Sequence, residues 1–230
     1  MKTLLRPLGR KRALATGSLT FLSFLAFSSP AQTPTARITR DIDNSERVAI
    51  QGTHSPMATG ENDAGRVPSE TKLQGISIVF SRTAAQEADL QALIAAQQSP
   101  ASPLYHKWLT PEEFAARFGV ADSDIAKVQS WLEQRGFSVD GISRSTNRIT
   151  FSGTVEQVEA AFGTELHYYK TKGETHFAPL GDISVPAALS SLVKTVTNLS
   201  SFRPRPHSGS DRHSQLRDPT SPPVKPATTI

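Results

Sequence analysis

The residues of this sequence that could do chemistry are few, and their spacing assembles no recognisable reactive site. Cysteine is absent, which excludes a disulfide framework, a thiolate metal site and a cysteine nucleophile. The histidines show no His-x-x-x-His or Glu-x-x-His spacing of the kind that places two metal ligands on one helix face. They are His54, His106, His167, His176, His207 and His213. We therefore expect solvated or packed histidines and no metal ion or cofactor.

The stretch Ser152-Gly153-Thr154 is the place where a serine nucleophile would first be sought. Gln157 follows Thr154 at the spacing of a capping box, which marks the start of a helix. The stretch is therefore interpreted as a structural turn between a strand and a helix. Phosphate loops, dinucleotide fingerprints and calcium-binding loops are also missing. We predict no catalytic, cofactor-binding or metal-binding residue in this chain.

Hydrophobic patterns predict a compact domain over residues 71–202. Ile76, Ile78 and Phe80 alternate with smaller residues, as in a half-buried strand. Capping boxes predict three helix starts, at Thr83 with Gln86, Thr110 with Glu113 and Thr154 with Gln157. The helices are expected over 84–97, 111–118 and 122–135 and after 154. The strands are expected over 73–80, 137–142, 148–152, 165–170 and 176–177, and residues 189–199 are predicted as a helix, with a last strand left open.

This order of elements is typical of an α+β fold, a ferredoxin-like split βαβ layer with an antiparallel sheet and helices on one face. The sheet would leave its other face uncovered. An uncovered sheet face commonly needs a partner.

The loop before the second helix carries the most distinctive aromatic residues of the chain. Tyr105, Trp108 and Leu109 precede the capping box of Thr110. Large apolar side chains on a loop usually pack against neighbouring elements, so we predict that these three side chains pack down and do not face water.

Composition divides the rest of the chain into three further parts. Residues 1–31 have a basic start and an apolar run, Ala13 to Phe27, that ends in small residues; this is typical of a secretory signal, with cleavage expected after Ala31. Residues 32–70 are predicted as an extended arm with one short strand near Val48, either a solvated linker or an arm along a partner domain. Residues 203–230 are predicted as a disordered Pro-rich linker, with Pro204, Pro206, Pro219, Pro222, Pro223 and Pro226.

Charge gives little support for a nucleic-acid partner. The formal net charge is +4. Five basic residues and no acidic ones lie before Ala31, so without the signal 20 basic residues face 21 acidic ones, a net charge of −1. The remaining basic excess lies in the tail without interleaved aromatics. After signal removal we expect a secreted or periplasmic monomer without stable membrane association.

Residues 99–114, from Ser99-Pro100 through Tyr105-His106-Lys107-Trp108-Leu109-Thr110-Pro111 to Phe114, resemble the activation domain of the sedolisin or kumamolisin family of serine-carboxyl peptidases. The resemblance continues through Arg117-Phe118-Gly119, Trp131-Leu132, Gly136-Phe137, Phe151-Ser152-Gly153-Thr154, Ala161-Phe162 and Glu165-Leu166-His167-Tyr168-Tyr169. It covers roughly residues 70 to 202, with a weaker match in 48–58. The catalytic domain of that family would need a serine in a Ser-Gly-Thr-Ser context, and this sequence has Val155 after Thr154.

The resemblance implies a propeptide that acts as intramolecular chaperone and autoinhibitor of a secreted endopeptidase and is removed by acid-triggered autoprocessing, here without the catalytic domain. Its partner would be that catalytic domain, in cis or in trans. The Pro-rich tail would then be the processing region, since an extended chain can enter a peptidase cleft. The alternative is a free-standing secreted inhibitor or interaction module with the same fold. Protonation of His106, His167 or His176 at a docking contact, or of acidic residues at lower pH, would supply the acid response.

Overall fold

The computed structural model describes residues 34–202. The predicted signal peptide and Pro-rich tail lie outside the described residues. The strands are β1 (Arg47–Ala49), β2 (Asp63–Arg66), β3 (Lys72–Phe80), β4 (Ser138–Ile142), β5 (Arg148–Thr154), β6 (Leu166–Thr171), β7 (Glu174–Pro179), β8 (Ser184–Pro186) and β9 (Val193–Thr197). The helices are α1 (Ala84–Gln98), α2 (Pro111–Phe118), α3 (Asp122–Gln134) and α4 (Val155–Phe162), with short 3-10 turns at Gly60–Asn62 and Ala187–Leu189.

A four-stranded antiparallel sheet organises the fold, with strand order β4-β5-β3-β9. The first strand of the motif, β3, is separated from the second, β4, by the third, β5, which is the arrangement of a split βαβ layer. Helices α1, α2 and α3 lie between β3 and β4 in the chain, and α4 follows β5. The α+β, ferredoxin-like prediction is confirmed.

One face of this sheet forms the main core. Ile76, Ile78, Ile149 and Phe151 point to this face and are completely buried. They pack with the apolar stripes of α3 and α4 in one cluster. The aromatic ring of Phe162 on α4 meets Trp131 edge to face and Phe137 at a tilt, and stacks near Phe151. Trp131 is therefore a core residue.

All three predicted capping boxes are present, and they explain why α1, α2 and α4 begin where they do. In each box the threonine hydroxyl accepts a hydrogen bond from the backbone N–H three residues later, and that residue's side chain accepts one from the threonine N–H. Two otherwise unpaired donors of each first turn are thereby satisfied. These local bonds place the helix starts independently of the core.

The segment before β3 lies along its own domain and contains two strands where one was expected. β1 pairs with β8, and β2 pairs with β6 at the edge of a three-stranded sheet, β2-β6-β7. Ile38 and Val67 join the main core. The arm is extended, and the strands β1 and β2 that it contributes pair within this chain. The four-part division of the whole sequence otherwise stays a prediction.

A buried carboxylate fastens the start of this arm. Asp124, in the first turn of α3, is completely buried. It accepts hydrogen bonds from the backbone N–H groups of Arg37, at 2.7 Å, and Ile38, at 3.0 Å. One turn later Lys127 Nζ donates to the carbonyl of Ile38, and Trp131 Nε1 donates to Asn44. The arm therefore runs along α3.

The expected helix over residues 189–199 is wrong. The structure has a short 3-10 turn, Ala187–Leu189, followed by the strand β9. Val193, Thr195, Val196 and Thr197 are β-branched and favour an extended backbone. β3 would also be left with an open edge without β9, so pairing across the sheet decided the outcome.

Among residues 34–202, none of the helices has both the length and the apolar character needed to cross a bilayer.

Replacing Asp124 by alanine should lower the free energy of unfolding by roughly 1.5–3 kcal/mol, because it leaves the N–H groups of Arg37 and Ile38 without their charged acceptor. Urea unfolding followed by circular dichroism measures the change. Asp122→Ala is the matched control, since Asp122 lies exposed in the same helical turn. Equal losses in the two variants would contradict the anchoring role of Asp124.

Candidate docking surfaces

The serine considered as a nucleophile is held in a structural turn. Ser152 Oγ donates to Asp140 Oδ2 at 2.6 Å across the β4–β5 pair. Thr154, two residues later, caps α4. A nucleophile would require a general base within hydrogen-bond reach, itself oriented by a third group. The geometry instead assigns the stretch to the junction of β5 and α4.

The described part of the chain contains no group of three or more histidine and acidic side chains that could hold a metal ion. His167 has the richest surroundings of its histidines. Its Nδ1 lies 2.8 Å from Asp63 Oδ2, and its Nε2 lies 3.4 Å from Glu165 Oε2. Arg66 of β2 adds a bond to Glu159 of α4 at 2.7 Å. The pair of Asp63 and His167 joins β2 to β6. These ionisable groups therefore have a structural role at the edge of the sheet.

The other described histidines lie apart from one another. His106 is exposed in the loop after α1, and His54 lies in the arm, where its backbone N–H donates to Asp182. His176 stacks on Phe202 with 4.5 Å between ring centroids. Phe202 is the last described residue, and the neighbouring Ser201 exchanges hydrogen bonds with Phe177 on β7. The described residues therefore end beside β7, an edge strand of the three-stranded sheet.

The second face of the four-stranded sheet is a candidate docking surface. Strand register places its side chains in rows, with Ser77 between Thr150 and Thr197, and Val79 beside Thr195. The face also carries Arg148, Ser152, Ser138 and Gly141. All of these residues except Ser77 are exposed or half-buried. Apart from Arg148 and Val79, the surface is lined by serine, threonine and glycine residues, whose small size allows another element to approach closely.

A second candidate surface lies at the tip of the hairpin formed by α1 and α2. Leu90, Leu93 and Phe118 form their own apolar cluster, separate from the main core, with Leu109 and Phe114 packed against it. The prediction that Tyr105 and Trp108 pack down is wrong, because Tyr105 is 39% exposed and Trp108 is 68% exposed. Leu109 does pack against the hairpin cluster, as expected.

The reason for the difference is geometric. The hairpin cluster is filled by residues of the two helices and by Leu109. Tyr105 and Trp108 therefore lie outside it. His106 adopts a left-handed backbone conformation with φ of 55°. Exposure of Tyr105 and Trp108 was not readable from residue type, since aromatic side chains are usually buried. The high density of large apolar residues in a loop was the available signal.

Comparison with known proteins places this architecture in context. Residues 59–202 match the family described as "Pro-kumamolisin, activation domain". The chain is 26% identical over 167 residues to kumamolisin of Bacillus sp. (strain MN-32), which covers 72% of this chain and 29% of that protein. It is 28% identical over 122 residues to sedolisin of Pseudomonas sp. (strain 101), and this match covers 53% of this chain and 21% of that protein. Xanthomonalisin of Xanthomonas sp. (strain T-22) is 32% identical over 110 residues, and this match covers 48% of this chain and 13% of that protein. The chain spans less than a third of the length of these relatives.

The arm loop 52–54 is held by a carboxylate of the loop between β7 and β8, and the ionisation of this carboxylate should make the domain sensitive to acid. Asp182 accepts hydrogen bonds from the backbone N–H groups of His54 and Thr53, each at 2.8 Å, and of Gly52 at 3.3 Å. The bond from His54, supported by those from Gly52 and Thr53, lowers the pKa of Asp182. A lowered folded-state pKa stabilises the fold above the ordinary carboxyl value of about 4, and this contribution is lost as the pH falls through the folded pKa.

Asp182→Asn should therefore be less stable than the natural chain at pH 6 and should lose less stability between about pH 5 and pH 2. Urea unfolding midpoints measured across that range test the expectation. Asp41→Asn, a substitution at an exposed aspartate of the arm, should keep the natural profile. An unchanged acid dependence in Asp182→Asn would show that this carboxylate does not contribute to it.

Proposed function

The chain belongs to the pro-kumamolisin activation domain family, and we propose that it is the N-terminal propeptide of a secreted serine-carboxyl endopeptidase. In this role it assists folding of the catalytic domain and blocks the active site until acid-triggered autoprocessing removes it. The observation that carries the proposal is the uncovered polar face of the four-stranded sheet, in a chain that matches an activation domain and not the remainder of its relatives. The partner is the catalytic domain of the same family.

The sheet face suits a docking role for physical reasons. Its rows of serine, threonine and glycine residues present little bulk, so a helix or loop of a partner can contact several strands at once. The main core lies entirely on the other face, so docking would not require the domain to open. Hydroxyl groups such as that of Thr150 can exchange hydrogen bonds with water for bonds to the partner at small net cost.

Carboxylates that hold the arm provide a physical route for an acid response. Gly65 N–H and then His167 lower the pKa of Asp63, just as backbone N–H groups lower that of Asp182. The stability that these carboxylates contribute is present near neutral pH and falls in acid. Loosening of β2 and of the arm loop would weaken a docked domain. The same acid conditions would thus favour release and proteolytic removal.

The remaining parts of the proposal rest on the sequence outside the described residues. Residues 1–31 would direct export, and the Pro-rich stretch 203–230 would be the processing region. Proline-rich segments resist compact folding, and an extended segment is what a peptidase cleft accepts. Phe202 is the last described residue, directly before that stretch.

Inhibition in trans tests the proposal. The purified chain should inhibit the isolated catalytic domain of a sedolisin-type peptidase, such as those of kumamolisin, sedolisin or xanthomonalisin, at pH 6, and inhibition should weaken toward pH 3. It should also raise the yield of active enzyme when the denatured catalytic domain is refolded. Absence of both effects with all three enzymes, while the chain is folded, would support an interaction module instead.

Thr150→Arg should abolish or strongly weaken this inhibition, because it places a long charged side chain in the middle of the sheet face. Thr150 is half-buried between Ser77 and Gly141. The control is Thr175→Arg, at an exposed threonine of strand β7, outside that face. Circular dichroism checks that both variants fold. Equal inhibition by both variants would exclude the sheet face as the docking surface.

A further inference from the structure

We infer that the tip of the α1–α2 hairpin, residues 104–108, is a second docking contact that places exposed aromatic side chains in a pocket of the peptidase catalytic domain. The inference rests on the proposed function and adds a specific surface to it. The hairpin tip is defined here by Leu104, Tyr105, His106, Lys107 and Trp108.

The sheet face alone is small for a specific complex. The four strands contain 26 residues, so with about 4.8 Å between strands and about 3.3 Å per residue the second face projects roughly 400 Å². Stable complexes cover about 800 Å² on each partner. A propeptide that docks through the sheet face would therefore need contacts elsewhere on its surface.

The hairpin tip has the densest group of exposed apolar side chains in the described chain. Leu104, Tyr105 and Trp108 are 40%, 39% and 68% exposed and lie within five residues. The other large apolar side chains with comparable exposure, such as Val48, Met57 and Leu180, are scattered over separate elements. Isolated exposed apolar residues are normal, whereas a clustered group marks an interaction site. Tryptophan and tyrosine are also the residues that most often dominate binding energy.

The aromatic rings are arranged before any partner arrives. Tyr105 and His106 stack with 3.8 Å between centroids, and His106 faces Trp108 at 6.0 Å, both pairs with 22° between ring planes. His106, at the centre of this stack, has a left-handed backbone conformation, which is unfavourable for a residue other than glycine. Such a conformation persists in a surface loop only where neighbouring groups hold the backbone in place.

A buried glutamine provides that support. Gln97, near the end of α1, is only 6% exposed. Its carbonyl accepts a hydrogen bond from His106 N–H at 3.0 Å, and its side-chain amide donates to the carbonyl of Lys107. Because the loop is fixed at these two points, little conformational entropy would be lost on binding. The tip is therefore a rigid contact surface.

The surroundings of the tip favour a folded protein as its occupant. Lys107, Glu112, Glu113 and Arg144 carry charges of both signs, and Arg144 bonds to Glu112 at 2.7 Å. An anionic membrane or a nucleic acid would require a basic excess. A polar rim of mixed charge around an aromatic centre is the composition of a protein–protein contact. In a precursor, the peptidase domain is the protein always present at high effective concentration.

Inhibition constants of variants test the inference against a matched control. Trp108→Ala should raise the inhibition constant for the catalytic domain about 30-fold or more, the size expected for a dominant contact residue. Leu104→Ala should raise it by roughly 3- to 10-fold. Leu180→Ala replaces a leucine of similar exposure on another surface, so it should change the constant by less than about twofold. All three side chains face solvent, so the fold should be retained.

The environment of Trp108 gives a second measurement that does not depend on the size of a constant. The chain has two tryptophans, and Trp131 is buried while Trp108 is exposed. With 5-fluorotryptophan incorporated, the ¹⁹F resonance absent from Trp108→Phe belongs to Trp108. Adding the catalytic domain should shift this resonance. Its chemical shift should also no longer change when water is replaced by D₂O, because the bound side chain is shielded from solvent.

The outcomes separate the inference from the function on which it rests. Inhibition by the natural chain, with unchanged constants for Trp108→Ala and a Trp108 resonance that stays solvent-exposed, would overturn the hairpin contact and leave the propeptide function standing. Absence of inhibition by the natural chain would overturn both. Two other results would also overturn the contact with the peptidase. If Trp108→Ala loses self-association but keeps inhibition, the tip binds a second copy of the chain. If it loses binding to phosphatidylcholine–phosphatidylglycerol vesicles but keeps inhibition, the tip binds a membrane.

Discussion

The alternation of residues along β3 is the constraint on which the rest of the structure depends. Ile76, Ile78 and Phe80 face the core, and Ser77 and Val79 face the other way. Because successive side chains of a strand point to opposite faces, a shift of register by one residue would exchange the two sets. β3 pairs with both β5 and β9, so its register is transmitted through the sheet. One face thereby gathers α3, α4 and parts of the arm, and the other remains largely polar.

Hydrogen-bonded carboxylates complete the domain around this sheet. Asp124 holds the start of the arm, Asp182 its central loop and Asp63 the strand β2. Backbone N–H groups are the principal donors to them, so these bonds use donors that a short extended segment could not pair in a sheet. The arrangement stabilises the arm near neutral pH, and for Asp63 and Asp182 the stabilisation weakens when the carboxyl group is protonated. A domain built in this way is firmer near neutral pH than in acid.

The α1–α2 hairpin follows a different principle. Its apolar residues form a separate cluster, and the bidentate pair of Arg117 with Asp89 links the two helices. The hairpin therefore does not depend on the sheet for its internal packing. Its tip exposes aromatic residues that a core-forming loop would bury. A rigid projection beside a flat sheet face gives one small domain two distinct surfaces for a larger partner.

The sequence by itself determined the features that depend on neighbouring residues. Each capping box lies within four residues, and the alternation in β3 lies within one strand, so the helix starts, the β4–β5 hairpin and the fold class could be predicted. Only the tertiary structure decided where distant segments would meet. Residues 193–197 became a strand because β3 offered an open edge, and the arm folded back because Asp124 offered an acceptor. Trp108 stayed exposed because Leu109 and the two helices completed the hairpin cluster without it. Local pattern encodes backbone preference and the polarity of each face, whereas burial and strand pairing depend on contacts between residues far apart in the chain.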